Sequence, residues 1–249
     1  MRPTPTRPAS LALTCCLVLG ACASGPADRT VDRSPSLAKE IARIYGADHW
    51  DEVVELGFTF EVKRSDGQVV RRQWTWDRVK ELVTLHRDGA DHTIHYGHPR
   101  DEGERKLDAA FLNDSFWLLF PLHLDWDDGI TIAEDRARSP FMPSDEPVPR
   151  LRVRYSARGG YTPGDAYDLY VRPDWRIDGW AYHRGGVAEP TLLTSWRDHR
   201  RFGPLLLSLE RKSPDGRFEL HFTDVHVRTR GQRAPDSGPA SRPAAQDPR

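Results

Sequence analysis

Alternating apolar and polar residues dominate two long parts of this 249-residue chain. In the first part, Phe58, Phe60 and Val62 alternate with polar residues, and the turn signal SDG follows at 65–67. A period of two is typical of strands with one buried face, and Asp-Gly is typical of tight hairpin turns. The pattern recurs three times before residue 98 and predicts a meander of four strands, in LGFTFEVKR, RRQWTWD, ELVTLHRDG and HTIHYG.

A second series of alternating segments runs from residue 150 to residue 227, in RLRVRY, DAYDLYV, IDGWAYHR, TLLTSWRDH, PLLLSLERK and RFELHFTDVHV. The last segment changes phase, because Phe218 and Phe222 share a parity that Val225 and Val227 do not. This change predicts a β-bulge near Thr223-Asp224. In all, the pattern predicts nine or ten strands, without the βαβ rhythm of a parallel sheet.

Two segments follow the period of a helix instead. Leu37, Ile41 and Ile44 share one helical face, and Gly46 is a stop signal. A longer helix is predicted over 104–120, where the second half of the segment is apolar on all sides and Pro121 is expected to end it. A helix that is apolar all round has to be covered by other elements.

These elements predict a mainly β, α+β fold. We expect a large curled antiparallel sheet or a half-open β-barrel, with one or two helices packed against its concave face. The predicted folded domain is 36–230. Residues 231–249 hold many prolines and alanines and no aromatic residue, which predicts a disordered C-terminal tail.

All three cysteines lie before residue 23, at the end of a short apolar run. The uncharged run Leu11–Ala21 is too short for a spanning helix, which needs about 20 apolar residues. With Arg2 and Arg7 before it, the run is typical of a secretory signal peptide over 1–21. Removal of that segment leaves one cysteine, Cys22, so an intramolecular disulfide is excluded for the mature chain.

The residues around Cys22 resemble the bacterial lipobox, since Leu19-Gly20-Ala21-Cys22 is an aliphatic residue and two small residues before a cysteine. That resemblance implies a diacylglyceryl group on the Cys22 sulfur, cleavage before it, and a membrane anchor. By resemblance to Gram-negative lipoproteins, Ala23 rather than Asp favours sorting to the outer membrane over retention in the inner membrane. In a Gram-positive host the anchor would lie in the only membrane. Residues 22–35, with little apolar content, are expected to form a flexible tether.

Charge excludes one class of partner. The predicted mature chain has 34 Lys and Arg against 37 Asp and Glu, a net charge of about −3. Nucleic-acid binding needs a basic surface, so no nucleic-acid partner is expected. No cofactor motif is present, and the sequence does not indicate an oligomeric state.

Candidate polar chemistry is sparse. In an extended segment His123, Asp125 and Asp127 would point the same way and form a weak candidate metal site. His92, His95 and His98 alternate faces on a strand, which argues against a shared metal. Asp114 interrupts the apolar helix and either faces solvent, pairs with an arginine or, when buried, serves as an acid.

Four aromatic residues are candidates for lining a ligand cleft, although a core role is the default for such residues. They are Trp74, Trp76, Phe111 and Trp117.

The segments FLNDSFWLLFPLHL and GGYTPGDAYDLYV resemble a group of uncharacterised bacterial lipoproteins with a LolA/LolB-like body, the body of envelope lipid carriers. The resemblance covers about 36–230. It implies an unclosed barrel capped by helices that shelters acyl chains, and no catalytic residue. The leading hypothesis is therefore an anchored envelope lipoprotein that binds a lipid, a lipidated protein or another apolar ligand. The alternatives are a structural or partner-binding lipoprotein with a filled core and, third, a metal-dependent enzyme.

Replacing Cys22 with Ala is expected to abolish lipidation and to leave an uncleaved precursor, because both steps require that thiol. Incorporation of labelled palmitate and the mobility of the protein on a gel measure the two effects. Palmitate label on the Cys22→Ala protein would contradict the anchor.

Overall fold

A computed structural model describes residues 36–64, 66–157 and 163–231. The predicted signal peptide, Cys22, the tether and almost all of the predicted tail lie outside the described residues. They remain predictions.

The first helix, α1 (Leu37–Tyr45), has the ends that its sequence predicts. The Ser36 hydroxyl accepts a hydrogen bond from the Lys39 N–H at 3.4 Å and caps the first turn. Gly46, at a φ of 100°, ends the helix in the left-handed conformation. A Cβ at residue 46 would also lie 2.6 Å from the Pro204 carbonyl oxygen, so glycine is required there twice over. A short 3₁₀ helix, Ala47–Glu52, leads into the first strand.

Twelve strands follow within the described residues, against the nine or ten predicted. They are β1 (Val53–Lys63), β2 (Val69–Asp77), β3 (Leu82–His86), β4 (His92–His95), β5 (Ile130–Ala137), β6 (Val148–Tyr155), β7 (Ala166–Val171), β8 (Ile177–His183), β9 (Leu192–Ser195), β10 (Arg197–Phe202), β11 (Leu205–Lys212) and β12 (Glu219–Thr229). All pairings are antiparallel, in one sheet of order β10-β11-β12-β1-β2-β3-β4 and one of order β5-β6-β7-β8-β9.

A single residue, Trp196, joins the two sheets. It separates β9, which pairs with β8, from β10, which pairs with β11. The Trp196 N–H donates to the Asp178 carbonyl at 2.8 Å, and the Lys212 N–H donates to the Ser195 hydroxyl at 3.3 Å. The two sheets therefore form one curled surface whose outer strands, β4 and β5, do not pair with each other. The predicted fold class, a curled antiparallel sheet with helices, is confirmed.

The predicted bulge in the last strand is also present. Between the pairs Gly57–His226 and Thr59–Thr223, two residues of β12 stand opposite one residue of β1. Asp224 has a φ of 51° and its carboxylate accepts a hydrogen bond from the Thr59 hydroxyl at 2.8 Å. The extra residue explains why the apolar positions of β12 change face.

The second helix, α2 (Glu102–Trp126), packs against both sheets. Phe111 contacts Phe58 and Trp74 of the seven-stranded sheet, with ring centroids 6.3 and 5.5 Å apart. About two and a half turns later, Phe120 contacts Tyr167 and Trp180 of the five-stranded sheet, both at 5.0 Å. Cover from both sheets explains why the second half of this helix is apolar on all sides. Neither helix of the described residues has the length and hydropathy needed to span a bilayer.

The expectation that Pro121 ends α2 is wrong, since the helix continues to Trp126. Proline has no N–H, so the Trp117 carbonyl loses the donor that an ordinary residue at 121 would provide. The guanidinium of Arg211, on β11, donates to that carbonyl from Nη2 at 3.0 Å. This replacement donor leaves the Trp117 carbonyl paired although the helix contains a proline.

Arg211 itself is fully buried, with 0% exposure. Its guanidinium carbon lies 3.5 Å from the Trp196 ring centroid, and Nη1 donates to the carbonyl and hydroxyl of Ser208 and to the Glu210 carbonyl. Burial lowers the pKa of Arg211 to about 9, so the side chain stays charged at neutral pH. Ring stacking and backbone carbonyls stabilise this charge in place of a carboxylate.

Helix α1 is attached to both sheets through Tyr45. The Ile177 N–H donates to the Tyr45 oxygen at 3.0 Å, and the Tyr45 oxygen lies 2.8 Å from His199 Nε2. Burial and nearby arginines lower the pKa of His199 to about 4, so at neutral pH its neutral ring accepts a hydrogen bond from the Tyr45 hydroxyl.

A double-mutant cycle tests the pairing of Arg211 with Pro121. Arg211→Met should lower the free energy of unfolding by about 1–3 kcal/mol, because the Trp117 carbonyl is left buried without a donor. In a Pro121→Ala background the new N–H at 121 can serve that carbonyl, so the cost should shrink by at least about 0.5 kcal/mol. Urea unfolding of the four proteins measures the difference.

Pro204→Ala, in the turn between β10 and β11, is the matched control. Combined with Arg211→Met it should give additive losses, within about 0.5 kcal/mol, because the sites share no contact. Equal losses from Arg211→Met with and without Pro121 would show that the arginine stabilises the protein by some other route.

Candidate ligand-binding cleft

An open cleft of about 1870 Å³ runs beside α2, with walls from both sheets and from the helix. Its aromatic and large aliphatic wall residues are Trp50, Phe60, Trp76, Tyr96, Leu112, Phe116, Trp117, Leu119, Trp126, Tyr155, Tyr167, Tyr182, Leu192, Leu193, Phe218 and Leu220. Because these residues come from distant parts of the chain, from the 3₁₀ helix to β12, the cleft exists only in the assembled fold.

One end of the cleft is built from tryptophans, and we call it the tryptophan end: Trp50, Trp76, Trp126 and Tyr96. The Trp50 ring lies 4.8 Å from Trp126 and 5.6 Å from Trp76, and Trp76 lies 5.1 Å from Tyr96. Such tilted contacts hold the rings against one another. Trp50 belongs to the 3₁₀ helix, Trp76 belongs to β2, and Trp126 is the last residue of α2. Trp126 reaches this position because α2 continues beyond Pro121.

The middle of the cleft is lined by Phe116 and Trp117 of α2 together with residues of both sheets. Trp117 stacks on Phe218 at 5.6 Å and meets the buried Trp180 edge to face at 4.8 Å. Phe116 lies 5.7 Å from Tyr167. Phe116, Trp117, Tyr167 and Phe218 thus form an apolar part of the cleft wall, backed by the buried Trp180.

The four aromatic candidates divide into two pairs. Trp76 and Trp117 lie on the cleft wall. Trp74 and Phe111 are 1% and 0% exposed and lie in the core between α2 and the seven-stranded sheet, so the expectation that they line the cleft is corrected. The sequence does not separate these pairs, since Trp74 and Trp76 share one face of β2. The position of α2 decides which of the two residues is covered and which lines the cleft. Contact of Trp76 and Trp117 with a ligand stays a prediction.

Asp114 is buried and forms an ion pair with Arg72, so one of the alternatives predicted from the sequence, pairing with an arginine, is confirmed. Its two carboxylate oxygens accept from Nε and Nη2 of Arg72 at 2.6 and 2.7 Å. The Trp74 indole N–H and the Asn113 amide donate to the same carboxylate at 2.9 and 3.0 Å. Four donors use the carboxylate fully, so Asp114 ties α2 to β2 rather than serving as an acid.

The three candidate metal ligands after the helix do not converge. The expected extended segment is helical, and Asp125 is exposed on a different side from His123. His123 Nδ1 instead lies 2.8 Å from the Asp127 carboxylate, whose other oxygen accepts from the Tyr155 hydroxyl at 2.7 Å. Burial and the neighbouring carboxylate raise the pKa of Tyr155. No group of three or more metal-ligating side chains occurs within 36–64, 66–157 and 163–231.

Sequence reasoning missed Trp50 of the tryptophan end and Arg78, which packs on the Trp50 ring. The guanidinium carbon of Arg78 lies 4.1 Å from the Trp50 ring centroid, and the residue lines the cleft. Neither belongs to an alternating segment that would have marked it. An arginine that lies beyond the last apolar position of a strand carries no local signal, so only the fold reveals it.

Comparison with known proteins gives likeness of architecture only. No family model matches the chain, and no curated protein matches it. One similar solved structure is described as an outer-membrane lipoprotein-sorting protein domain from Vibrio parahaemolyticus, at 9% identity and a TM-score of 0.42, covering 78% of this chain and 95% of that one. Another is a LolA superfamily protein from Nitrosomonas europaea, at 8% identity and a TM-score of 0.43, covering 78% and 92%. The second of these structural neighbours is described as a member of the superfamily that the two sequence segments resemble.

Phe111 and Leu112 are adjacent on α2 and test the division between core and cleft. Phe111→Ala should lower the free energy of unfolding by about 3–5 kcal/mol, because four neighbouring rings lose their contact. Leu112→Ala, on the cleft wall, should cost less than about 2 kcal/mol because fewer packed neighbours are lost. Urea unfolding of the full chain provides both values, and a loss of similar size for both would show that the cleft is closed by packing in solution.

Proposed function

We propose that this chain is a lipoprotein of the bacterial envelope, anchored through Cys22 in the outer membrane and facing the periplasm. Its cleft binds a lipid, a lipidated protein or another apolar ligand. The observation that carries this proposal is the cleft of about 1870 Å³ with its aromatic walls. Pockets for small ligands typically measure about 300–1,000 Å³, so this one leaves room for a long apolar chain.

The location rests on the sequence. A positively charged start, an apolar run of eleven residues and the lipobox ending at Cys22 support export followed by lipid attachment. Several acyl chains on one cysteine would hold the protein firmly on a membrane, which a single chain does only marginally.

A binding role is favoured over a catalytic one by the state of the polar groups along α2. The Asp114 carboxylate accepts hydrogen bonds from Arg72 and Trp74. The Asp127 carboxylate is hydrogen-bonded to His123 and Tyr155. Carboxylates that are already held by several donors are poorly placed to exchange protons with a substrate.

A structural or partner-binding lipoprotein is the second candidate, and one observation favours it. The side of α2 that faces the sheets is close-packed, with Phe111, Leu118 and Phe120 at 0–1% exposure. The concave face is therefore filled along that side, and only the remaining sides of the helix are open to a ligand.

Leu112→Trp tests the ligand hypothesis, because it places a larger ring in the cleft without removing core packing. The full chain with Cys22→Ser, which lacks the predicted lipid attachment, is purified gently and examined by native mass spectrometry for bound lipid. Binding of 11-(dansylamino)undecanoate and of its methyl ester is measured by fluorescence. We expect bound lipid and probe binding in the parent and at least a fivefold loss of affinity in Leu112→Trp.

Val187→Trp is the matched control, since Val187 is 50% exposed and lies outside the cleft. This variant should bind like the parent. No lipid and no probe bound by the parent would defeat the ligand hypothesis and leave the structural lipoprotein. Equal binding by the parent and Leu112→Trp would show that the probe binds elsewhere.

A further inference from the structure

Arg78 places a cationic group at the tryptophan end of the cleft. Its guanidinium carbon lies 4.1 Å from the Trp50 ring centroid and 5.7 Å from that of Trp76. Contacts of this kind stabilise a cation on an aromatic face. The side chain is half-buried against these rings, so its position is set by packing.

Hydrogen bonds hold only one side of this guanidinium. Nη1 donates to the carbonyls of Trp50 and Val53 at 2.5 and 2.6 Å. Within the described residues, no hydrogen bond is formed by Nε or Nη2, and no carboxylate lies within 4.0 Å of the group. The edge made by Nε and Nη2 is the edge on which arginine binds a carboxylate or phosphate through two parallel hydrogen bonds.

The other arginines of the cleft wall do not offer a comparable group. Arg72 is paired with Asp114, and Arg217 is paired with Asp215 at 3.3 Å. Arg64 and Arg184 are exposed to solvent. Arg78 alone among the described wall arginines combines partial burial with no carboxylate partner.

The electrostatic surroundings compensate this cation only in part. Burial is the main cause that lowers the pKa of Arg78, and Asp51 and Arg230 act on it with opposite signs. A desolvated guanidinium is stabilised when an anion binds it, because the anion restores the interactions lost with water. The tryptophan end therefore favours a negatively charged group.

We propose that the ligand of the cleft is an anionic amphiphile, whose carboxylate or phosphate head binds the Nε and Nη2 edge of Arg78. Its apolar chain extends from the tryptophan end along α2 towards Trp117 and Phe218. This inference rests on the proposed function and narrows it, since neutral lipids and uncharged acyl groups lack the head that Arg78 recognises. A fatty acid and a phosphate-bearing lipid share the required chemistry.

Two probes that differ only in charge provide the test. The full chain with Cys22→Ser is titrated with 11-(dansylamino)undecanoate and with the methyl ester of the same acid. The acid should bind about tenfold more tightly, which corresponds to about 1.4 kcal/mol. Arg78→Met should remove this preference and leave the affinity for the ester within twofold of the parent.

Two further variants separate recognition from folding. Arg217→Met removes a wall arginine that already has a carboxylate partner and should keep the tenfold preference. Arg78→Lys retains the charge without the two-donor edge and should keep only part of the preference. Thermal unfolding confirms that each variant is folded before it is titrated.

Competition distinguishes the possible anions. Dodecanoate and dodecyl phosphate should each displace the acid probe at lower concentration than dodecanol does, and the stronger of the two identifies the head group. Displacement by sodium acetate at the same concentration as dodecanoate would indicate a site for small anions and overturn the proposal.

The remaining outcomes are also distinct. Equal affinity for acid and ester in the parent, or an equal loss of both in Arg78→Met, would overturn the role of Arg78 and leave the cleft as an apolar site. Binding of neither probe would overturn this inference together with the proposed function.

Discussion

The hydrogen bond from Arg211 to the Trp117 carbonyl is the interaction on which the arrangement of this protein depends. Pro121 removes the donor that this carbonyl would have in an ordinary helix, and the guanidinium reaches it from β11 at 3.0 Å. The helix therefore continues for five more residues, to Trp126. Those residues carry His123 and Trp126 to the cleft wall, where Trp126 packs on Trp50 and completes the tryptophan end.

The same helix serves as core on one side and as cleft wall on the other. Phe111 and Phe120 are buried against the two sheets, whereas Leu112, Phe116 and Trp117 face open space. Asp114 and its pair with Arg72 fix the rotation of the helix between these environments, because a buried carboxylate with four donors tolerates little displacement. A ligand in the cleft would thus meet a wall held rigid from behind.

Three arginines illustrate how burial and partners set the task of a side chain. Arg211 is fully buried and binds backbone carbonyls and a tryptophan face, so its role is structural. Arg72 binds a buried carboxylate and connects a strand to the helix. Arg78 lines the cleft and donates from Nη1 alone to two backbone carbonyls, so its Nε and Nη2 have no hydrogen-bond partner among the described residues.

Local sequence patterns determined much of this fold. The caps of α1, the alternation within the strands, the bulge of β12 and the need to cover α2 all follow from residues close together in the chain, because capping, strand period and helical period are local properties. The tertiary structure decided the rest. The effect of Pro121 depends on a donor at residue 211, the fate of Trp74 and Trp76 depends on where α2 lies, and Arg78 meets Trp50 only when the 3₁₀ helix packs on β2. These outcomes join residues that are distant in the chain, and the free energy of such contacts depends on neighbours that no local pattern specifies.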